Sequence, residues 1–245
     1  MVLFISLVLK IKLLKMKNIS FICALFVSTI LFSQEPLVQN IGDFTTLKVY
    51  NGITVELIKS TDQKIEITGE KAEIVKVKNV NKTLKLSLPF SLKPANNFAD
   101  GMVLIKLYYN SNINLIDVNQ GATVTGKDFN QDKVELNAQE RGFINLTAKT
   151  TYLVIRATSG GIIKASGSTK SQDVDVDLYG IYHGFNLVAS GNSHVKAGTG
   201  AKAEISAGET LNASVSFGGT IIYNGSPTVV KDKKVIGGII EQKNE

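Results

Sequence analysis

The sequence is poor in the residue types that catalysis and covalent crosslinking use. Its 245 residues include one cysteine, two histidines, no tryptophan and four prolines. The two arginines are Arg141 and Arg156. The cysteine, Cys23, lies in an apolar N-terminal segment, so the rest of the chain contains no thiol for a disulfide bond. This composition predicts a protein that is not an enzyme, with no catalytic residue, no metal ligand set and no cofactor.

Long apolar runs are also scarce, which excludes a polytopic membrane protein. The one long apolar segment follows Met16 and Lys17, continues to Phe32, and ends at the small residue Ser33. A short basic start, an apolar core and a small residue at the end are typical of a secretory signal peptide. The alternative is a two-segment membrane anchor.

We therefore predict that residues 1–33 are a signal peptide and that 34–42 are a linker. Met16 is the preferred start, and the stretch before it is an upstream misassigned start or a long n-region. After cleavage no stable membrane span is expected. Export places the protein in the periplasm, on the outer-membrane surface or outside the cell.

Positive charge is concentrated in this leader. The formal net charge is +6, but residues 1–33 contain four lysines and no acidic residue, which leaves a net charge of +2 for the remainder. A nearly neutral exported part gives little support to nucleic-acid binding, so no nucleic-acid partner is expected.

Alternation of apolar and polar residues dominates from Phe44 onward. Ile53-Val55-Leu57 and Leu84-Leu86-Leu88 each alternate with polar neighbours, as half-buried strands do. No helical stripe of about ten or more residues is present. Residues 69–77 are compatible with a short helix or with a strand and a loop.

The second half repeats. An apolar strand pair recurs at steps of 18, 19, 23, 19 and 18 residues, counted between second members: Ile116-Val118, Val134-Leu136, Leu153-Ile155, Val176-Leu178, Val195-Ala197 and Ala213-Val215. A second strand follows each pair, anchored by Val124, Ile144, Ile163, Phe185, Ala203 and Ile221. The corners between them are small: Gly121-Ala122, Arg141-Gly142, Gly160-Gly161, His183-Gly184, Gly200-Ala201 and Gly218-Gly219.

Two strands with a glycine-containing corner every 18–23 residues favour an all-β, right-handed β-solenoid, in which each turn stacks on the last. Glycine suits such corners because a tight corner often needs a positive φ. The alternative is an antiparallel β-sandwich, which does not require corner glycines in step with a repeat. Inward residues that shrink to alanine toward the C-terminus predict a narrowing core there.

A proline- and asparagine-containing segment, residues 89–101, interrupts the strands. It is either a sub-boundary between an N-terminal strand unit and the repeats or a surface loop of one continuous β-domain spanning 43–240. Residues 241–245 are a tail. The lysine-rich stretch before it, from Lys231, is expected to cover the end of the solenoid.

Two sets of residues are candidates for binding. Asp173, Asp175 and Asp177 alternate with apolar residues, which predicts an outward line of carboxylates for a cation or a sugar. One straight strand cannot wrap a calcium ion, so an acidic face that blocks aggregation is the stronger interpretation. Tyr179, Tyr182 and His183 lie in the longest repeat step, where inserted residues often form a binding loop. The alternative there is a corner with packed tyrosines.

Two short motifs carry a family resemblance. Tyr50-Asn51-Gly52-Ile53-Thr54-Val55-Glu56-Leu57 and the closing Ser216-Phe217-Gly218-Gly219-Thr220-Ile221 resemble the "head GIN" domain of the putative auto-transporter adhesin family. The resemblance covers about residues 43–240. It implies an exported, mostly β, solenoid-like protein of Bacteroidetes-type bacteria without an established catalytic role.

The sequence thus predicts a non-catalytic cell-envelope binding module or adhesin, with a cell-surface glycan or protein as partner. A structural or assembly subunit that forms a homo-oligomer through its solenoid ends is the second hypothesis. A carbohydrate-active enzyme on a β-helix scaffold is the third.

Overall fold

The structure is a computed structural model that describes residues 35–89 and 103–243. The predicted signal peptide lies outside the described residues, as does all of the predicted loop 89–101 except Pro89. The described residues form one 3-10 helix, Ala72–Ile74, and these strands: β1 (Leu37–Asn40), β2 (Thr46–Val49), β3 (Thr54–Lys59), β4 (Lys64–Thr68), β5 (Lys76–Val80), β6 (Thr83–Ser87), β7 (Leu104–Tyr109), β8 (Leu115–Val118), β9 (Thr123–Asn130), β10 (Lys133–Ala138), β11 (Phe143–Ala157), β12 (Ile162–Val176), β13 (Ile181–Gly184), β14 (Leu187–Ala189), β15 (Asn192–Ala197), β16 (Lys202–Ser206), β17 (Thr210–Ser216), β18 (Thr220–Asn224), β19 (Val229–Val235) and β20 (Ile239–Gln242).

Two parallel ladders build the predicted β-solenoid, which has about seven turns. The first ladder runs β6, β2, β8, β10, β11, β12, β15, β17, β19. The second runs β7, β3, β9, β11, β12, β13, β16, β18, β20. Strands β11 and β12 belong to both because each is 15 residues long. The antiparallel sandwich is therefore wrong. Among the described residues, antiparallel pairing joins only β1–β4, β4–β7 and β5–β6.

The N-terminal strands enter the stack out of chain order. Leu47 of β2 pairs with Leu84 of β6 on one side and with Ile116 of β8 on the other. Strand β3 is likewise paired with β7 and β9. The turn formed by β2 and β3 thus lies between two turns that follow it in the sequence. These strands share one apolar core with the repeats.

The predicted repeat is confirmed, but its register needs a correction of two residues. Leu136 pairs with Ile116 and Ile155, whereas Val118 pairs with Ala138. The inward column of the first ladder is Ile116, Leu136, Ile155, Val174, Val195 and Ala213, with steps of 20, 19, 19, 21 and 18 residues. Alternation has a period of two, so a shift by two leaves the inward and outward faces of each strand unchanged, and the pattern alone cannot detect it.

The same two-residue correction changes which residues form one of the corners. Tyr182, not Phe185, stands between Ile163 and Ala203 in the second ladder. The corner of that turn is Leu178-Tyr179-Gly180, and the predicted corner glycine Gly184 lies inside β13. Leu178 is consequently exposed rather than inward. The 23-residue step disappears. One of the two additional residues of this turn falls between β13 and β14 and the other between β14 and β15, because the pairing offset to β12 grows from 19 to 20 and then to 21 residues.

Side-chain size falls along the inward column that ends at Ala213, but not along the core as a whole, because Ile205, Leu211 and Ile221 are also buried in the last turns. Ala197, Ala203, Ala207 and Ala213 are all buried in the last turns. Burial of each inward position by the next turn removes apolar surface from water at roughly 25 cal/mol per Å². The last turn departs from this pattern, because Asp232 and Lys234 occupy the positions that pair with Ala213 and Val215.

Candidate binding surface at the solenoid corner

Each turn makes the same corner between the two ladders. The first corner position has a positive φ at Asn51, Gln120, Glu140, Ser159, Leu178, Phe217 and Ile236. Backbone hydrogen bonds link successive corners, such as Gly160 N donating to Leu178 O at 3.1 Å and Gly200 N to Phe217 O at 3.3 Å. The corners therefore stack in a column, about 4.8 Å apart per turn.

The third corner position is under a steric restriction. A Cβ at Gly161 or Gly180 would lie 2.0 Å from the carbonyl oxygen of the preceding turn, that of Ala138 or Ala157. No real Cβ makes such a contact, so these two turns require glycine. Ala122 and Ala201 occupy the equivalent position in two other turns, where a Cβ is accommodated.

The side chains of the corner column change character along the solenoid. Asn51, Gln120, Glu140 and Ser159 make the first corners polar, and all four are exposed. In the later turns Thr199 remains polar, but four exposed apolar side chains are present: Leu178 is 47% exposed, Tyr179, which follows it, 69%, Phe217 57% and Ile236 70%. We name these four residues the apolar ridge.

The apolar ridge carries two energetic costs. Its residues have φ of 46° (Leu178), 62° (Tyr179), 48° (Phe217) and 52° (Ile236), in the left-handed region. That conformation costs about 1 kcal/mol per residue outside glycine, asparagine and aspartate, and more for a β-branched residue such as isoleucine. The side chains are also largely in water, so burial does little to offset this strain. The fold imposes the positive φ on the polar corners as well, but it does not require large apolar side chains in water there, and their exposure points to a surface used for binding.

Asp177 stabilises the start of the apolar ridge through hydrogen bonds. Its Oδ1 accepts hydrogen bonds from the backbone amides of Leu178 at 2.8 Å and Thr199 at 2.7 Å. A Cβ at Gly198 would lie 2.3 Å from that oxygen, so the glycine leaves room for the carboxylate. Asp177 is therefore engaged in holding two adjacent corners.

The other two aspartates of the predicted line also point outward. Asp175 lies 3.6 Å from Arg156, which also contacts Glu135 at 3.3 Å. Asp173 lies beside His194 in the register of β12 and β15. The three carboxylates thus have different neighbours. Within residues 35–89 and 103–243, no group of three or more His, Cys, Asp or Glu side chains is arranged to hold a metal ion.

Tyr179, Tyr182 and His183 do not form one loop surface. Tyr182 is fully buried, and its hydroxyl donates to Gln172 Oε1 at 3.4 Å, which corrects the expectation that it faces a ligand. Burial raises the pKa of Tyr182. The ring fits because Gly184 has no side chain: a Cβ there would lie 2.5 Å from it. Tyr179, by contrast, is exposed.

His183 faces outward on β13 and belongs to a polar cluster. Its Nδ1 lies 2.7 Å from Glu204 Oε2, and Lys202 Nζ lies 2.7 Å from the other carboxylate oxygen. Partial burial raises the pKa of Glu204, but hydrogen bonds from Lys202 and His183 outweigh this effect, so the pKa lies below its ordinary value. Glu204 was not found from the sequence, because only the register of β13 and β16 places it beside His183.

Three ridge residues were also missed. Leu178, Phe217 and Ile236 are ordinary apolar residues in an alternating sequence, and Leu178 was assigned to the core. The signal that could have found Phe217 and Ile236 is an apolar residue directly before two glycines, where a corner exposes it.

In the part of the chain that the structure describes, no helix has the length and apolar character to cross a bilayer.

Solved structures of similar fold include proteins from Bacteroides and Parabacteroides species. A putative adhesin from Bacteroides fragilis is 20% identical, with a TM-score of 0.73, over 86% of this chain and 98% of that one. A putative lipid binding protein from Parabacteroides distasonis is 17% identical, with a TM-score of 0.65, over 86% and 98%. A putative adhesin from Parabacteroides merdae is 17% identical, with a TM-score of 0.60, over the same shares. At these identities the likeness shows the fold alone.

None of the curated proteins compared with the chain matches it significantly. A family model does match, over residues 43–227, and its description is the putative auto-transporter adhesin, head GIN domain. This agrees with the resemblance carried by the Asn51-Gly52-Ile53 corner and the closing glycine motif. The chain belongs to the putative auto-transporter adhesin, head GIN domain family.

Proposed function

We propose that this protein is an exported, non-catalytic module of the cell envelope that binds an envelope component through the apolar ridge. The observation that carries the proposal is the ridge itself: four exposed apolar side chains held at left-handed corners. Membership of an adhesin family supports a binding role. The Parabacteroides distasonis structure, named for lipid binding, supports an amphiphilic partner.

The aspartates support a non-catalytic role. Asp177 is engaged by two backbone amides and Asp175 is ion-paired with Arg156. A general acid or base needs to reach a substrate proton, and these contacts already engage one oxygen of each carboxylate with the protein's own groups.

Assembly through the solenoid ends is the less favoured function. The edge strands of the first ladder are β19, which contains Lys231, Lys233 and Lys234, and β5, which contains Lys76 and Lys78. Lysines on these two edge strands disfavour their pairing with each other or with themselves in a second copy, since like charges would meet.

Binding is tested with the exported protein purified from cells that produce it and with envelope fragments of the same bacterium. Phe217→Asn/Ile236→Asn is expected to lower the affinity for envelope fragments, measured by co-sedimentation, at least tenfold. The substitutions remove the exposed apolar surface, about half of each side chain, that would be buried against the partner. The matched control, Val80→Thr/Val188→Thr, changes two exposed valines outside the ridge and should bind as the unsubstituted protein does. Equal binding by all three proteins would refute the proposal.

Export is tested by mass spectrometry of the N-terminus in fractionated cells. Cleavage of the signal peptide predicts a protein that begins at Gln34 and is recovered from the envelope or the medium. Recovery of a chain that begins at Met1 or Met16 in the cytoplasm would contradict this part of the proposal.

A further inference from the structure

The last turn of the solenoid combines apolar and basic side chains. Phe217, Val235, Ile236 and Ile239 are between 38% and 70% exposed where the ridge reaches the end of the stack. Lys231, Lys233 and Lys234 of β19 are exposed beside them. We name these seven residues the C-terminal tip.

The C-terminal tip is exposed in the part of the chain that the structure describes. Every residue of β19 is exposed, in contrast to β17, where inward residues are buried. The inward positions that a further turn would cover carry Asp232 and Lys234 in place of the alanine and valine below them. Burial of these charges under a second copy would carry a desolvation cost, so a stacked copy does not fit this end.

Charge at the tip favours an anionic partner. Residues 229–243 contain four lysines and two acidic residues, Asp232 and Glu241. These residues therefore carry a net charge of +2. Exposed apolar side chains surrounded by lysines match the chemistry of a lipid surface, in which phosphate groups cover an apolar interior.

We propose that the C-terminal tip docks on an anionic lipid surface, with Phe217 and Ile236 entering the headgroup region and the β19 lysines contacting lipid phosphates. This inference rests on the proposed function, since Phe217 and Ile236 belong to the apolar ridge as well. It names the partner class of that surface: a bilayer rich in acidic phospholipids rather than a glycan or a protein. Contacts of this type depend on salt, because the lysine contribution is screened within about 8 Å at physiological ionic strength.

Vesicle co-sedimentation tests the proposal with the exported protein. Vesicles of phosphatidylcholine alone are compared with vesicles containing phosphatidylglycerol at about a third of the lipid. Lys233→Gln/Lys234→Gln should reduce binding to the anionic vesicles by roughly fivefold for each lysine. Lys76→Gln/Lys78→Gln, at the opposite end of the solenoid, is the matched control and should have no effect. Phe217→Asn/Ile236→Asn should reduce binding at least tenfold.

Binding that follows the phosphatidylglycerol content and is lost only in the tip variants supports the proposal. Absence of binding at any phosphatidylglycerol content would overturn it, and so would equal binding to both vesicle types. A doubled mass in solution that Phe217→Asn/Ile236→Asn abolishes, without vesicle binding, would show instead that a second copy covers the tip. Ridge-dependent binding to envelope fragments without vesicle binding would overturn only this inference and leave the proposed function intact.

Discussion

The two halves of the corner column share a backbone and differ in what they expose. Glu140 and Phe217 hold the same corner position with φ of 49° and 48°. One is a charged side chain suited to water, whereas the other is an aromatic ring that is 57% exposed. The stacked backbone accounts for the corner geometry in both halves, but it does not account for the apolar side chains of the second. Comparison of equivalent positions in a repeat therefore distinguishes the backbone conformation that the fold requires from the side chains that a binding surface adds.

The corner glycines test whether the backbone requirement is the same in both halves. Gly142→Ala in the polar half and Gly180→Ala in the apolar half should each lower the free energy of unfolding by about 3 kcal/mol, because each Cβ would meet a carbonyl oxygen at 2.1 or 2.0 Å. Urea denaturation measures the loss. The control is Gly218→Ala, which has φ of +79° and no atom within 4 Å of the new Cβ, and should cost about 1 kcal/mol. Equal losses at all three positions would contradict the steric explanation.

Asp177 stabilises two corners of the apolar half through hydrogen bonds, which distinguishes them from the corners of the polar half. Asp177→Ala removes hydrogen bonds to two backbone amides and should lower the free energy of unfolding by about 2 kcal/mol. Thr158 occupies the equivalent position one turn earlier, since Ala157 pairs with Val176. Thr158→Ala should cost much less, and comparable losses in thermal denaturation would show that Asp177 does not brace the ridge.

The strain of the apolar ridge predicts that some substitutions there are stabilising. Ile236→Asn replaces a β-branched residue at positive φ with one that tolerates this conformation, and should raise the free energy of unfolding by about 1 kcal/mol. The converse change in the polar half, Ser159→Ile, should lower it by a similar amount. If Ile236→Asn destabilises the protein in urea denaturation, Ile236 makes a packing contribution that its exposure does not indicate.

The smallest expected effect is a pH dependence in the second half. The pKa of Glu204 lies below its ordinary value of 4.5, so its ion pair with Lys202 and its contact with His183 stabilise the folded state above that pH. The contribution is lost as the pH falls from 4.5 through the lowered pKa, because over this range the unfolded state binds a proton at Glu204 that the folded state does not.

Melting temperatures recorded between about pH 3 and pH 6 measure this effect. Glu204→Gln should flatten the dependence, and the conservative Glu204→Asp should retain part of it. An unchanged pH profile in Glu204→Gln would mean that other carboxylates account for the acid sensitivity.

The sequence was sufficient for the solenoid because its two signals are physical requirements of stacked turns. Alternation in strands such as β10 and β17 follows from burying one side of each strand, and Gly161 and Gly219 follow from close approach to the preceding turn. Register could not be predicted to better than two residues, since alternation is unchanged by that shift.

The candidate site was only partly predictable, and one error explains most of the difference. If Leu178 is assigned to the core, residues 179–184 have to be interpreted as a long loop, and Tyr182 is then grouped with Tyr179. Tyr182 is buried beside Gly184, and only coordinates show that a glycine two residues away provides room for its ring. Glu204 is brought beside His183, and the strand that precedes Ile236 beside β17, by pairings between residues 21 and 19 apart in the chain, which local patterns do not reveal.

The most direct measurement of the central claim combines binding and stability in one variant, Phe217→Asn/Ile236→Asn. Its affinity for envelope fragments and its free energy of unfolding are measured on the same preparation. If exposed apolar side chains are kept at strained corners for binding, the affinity falls at least tenfold while stability rises by about 1 kcal/mol or more. Unchanged affinity, or a fall in affinity explained by lost stability, would contradict the claim.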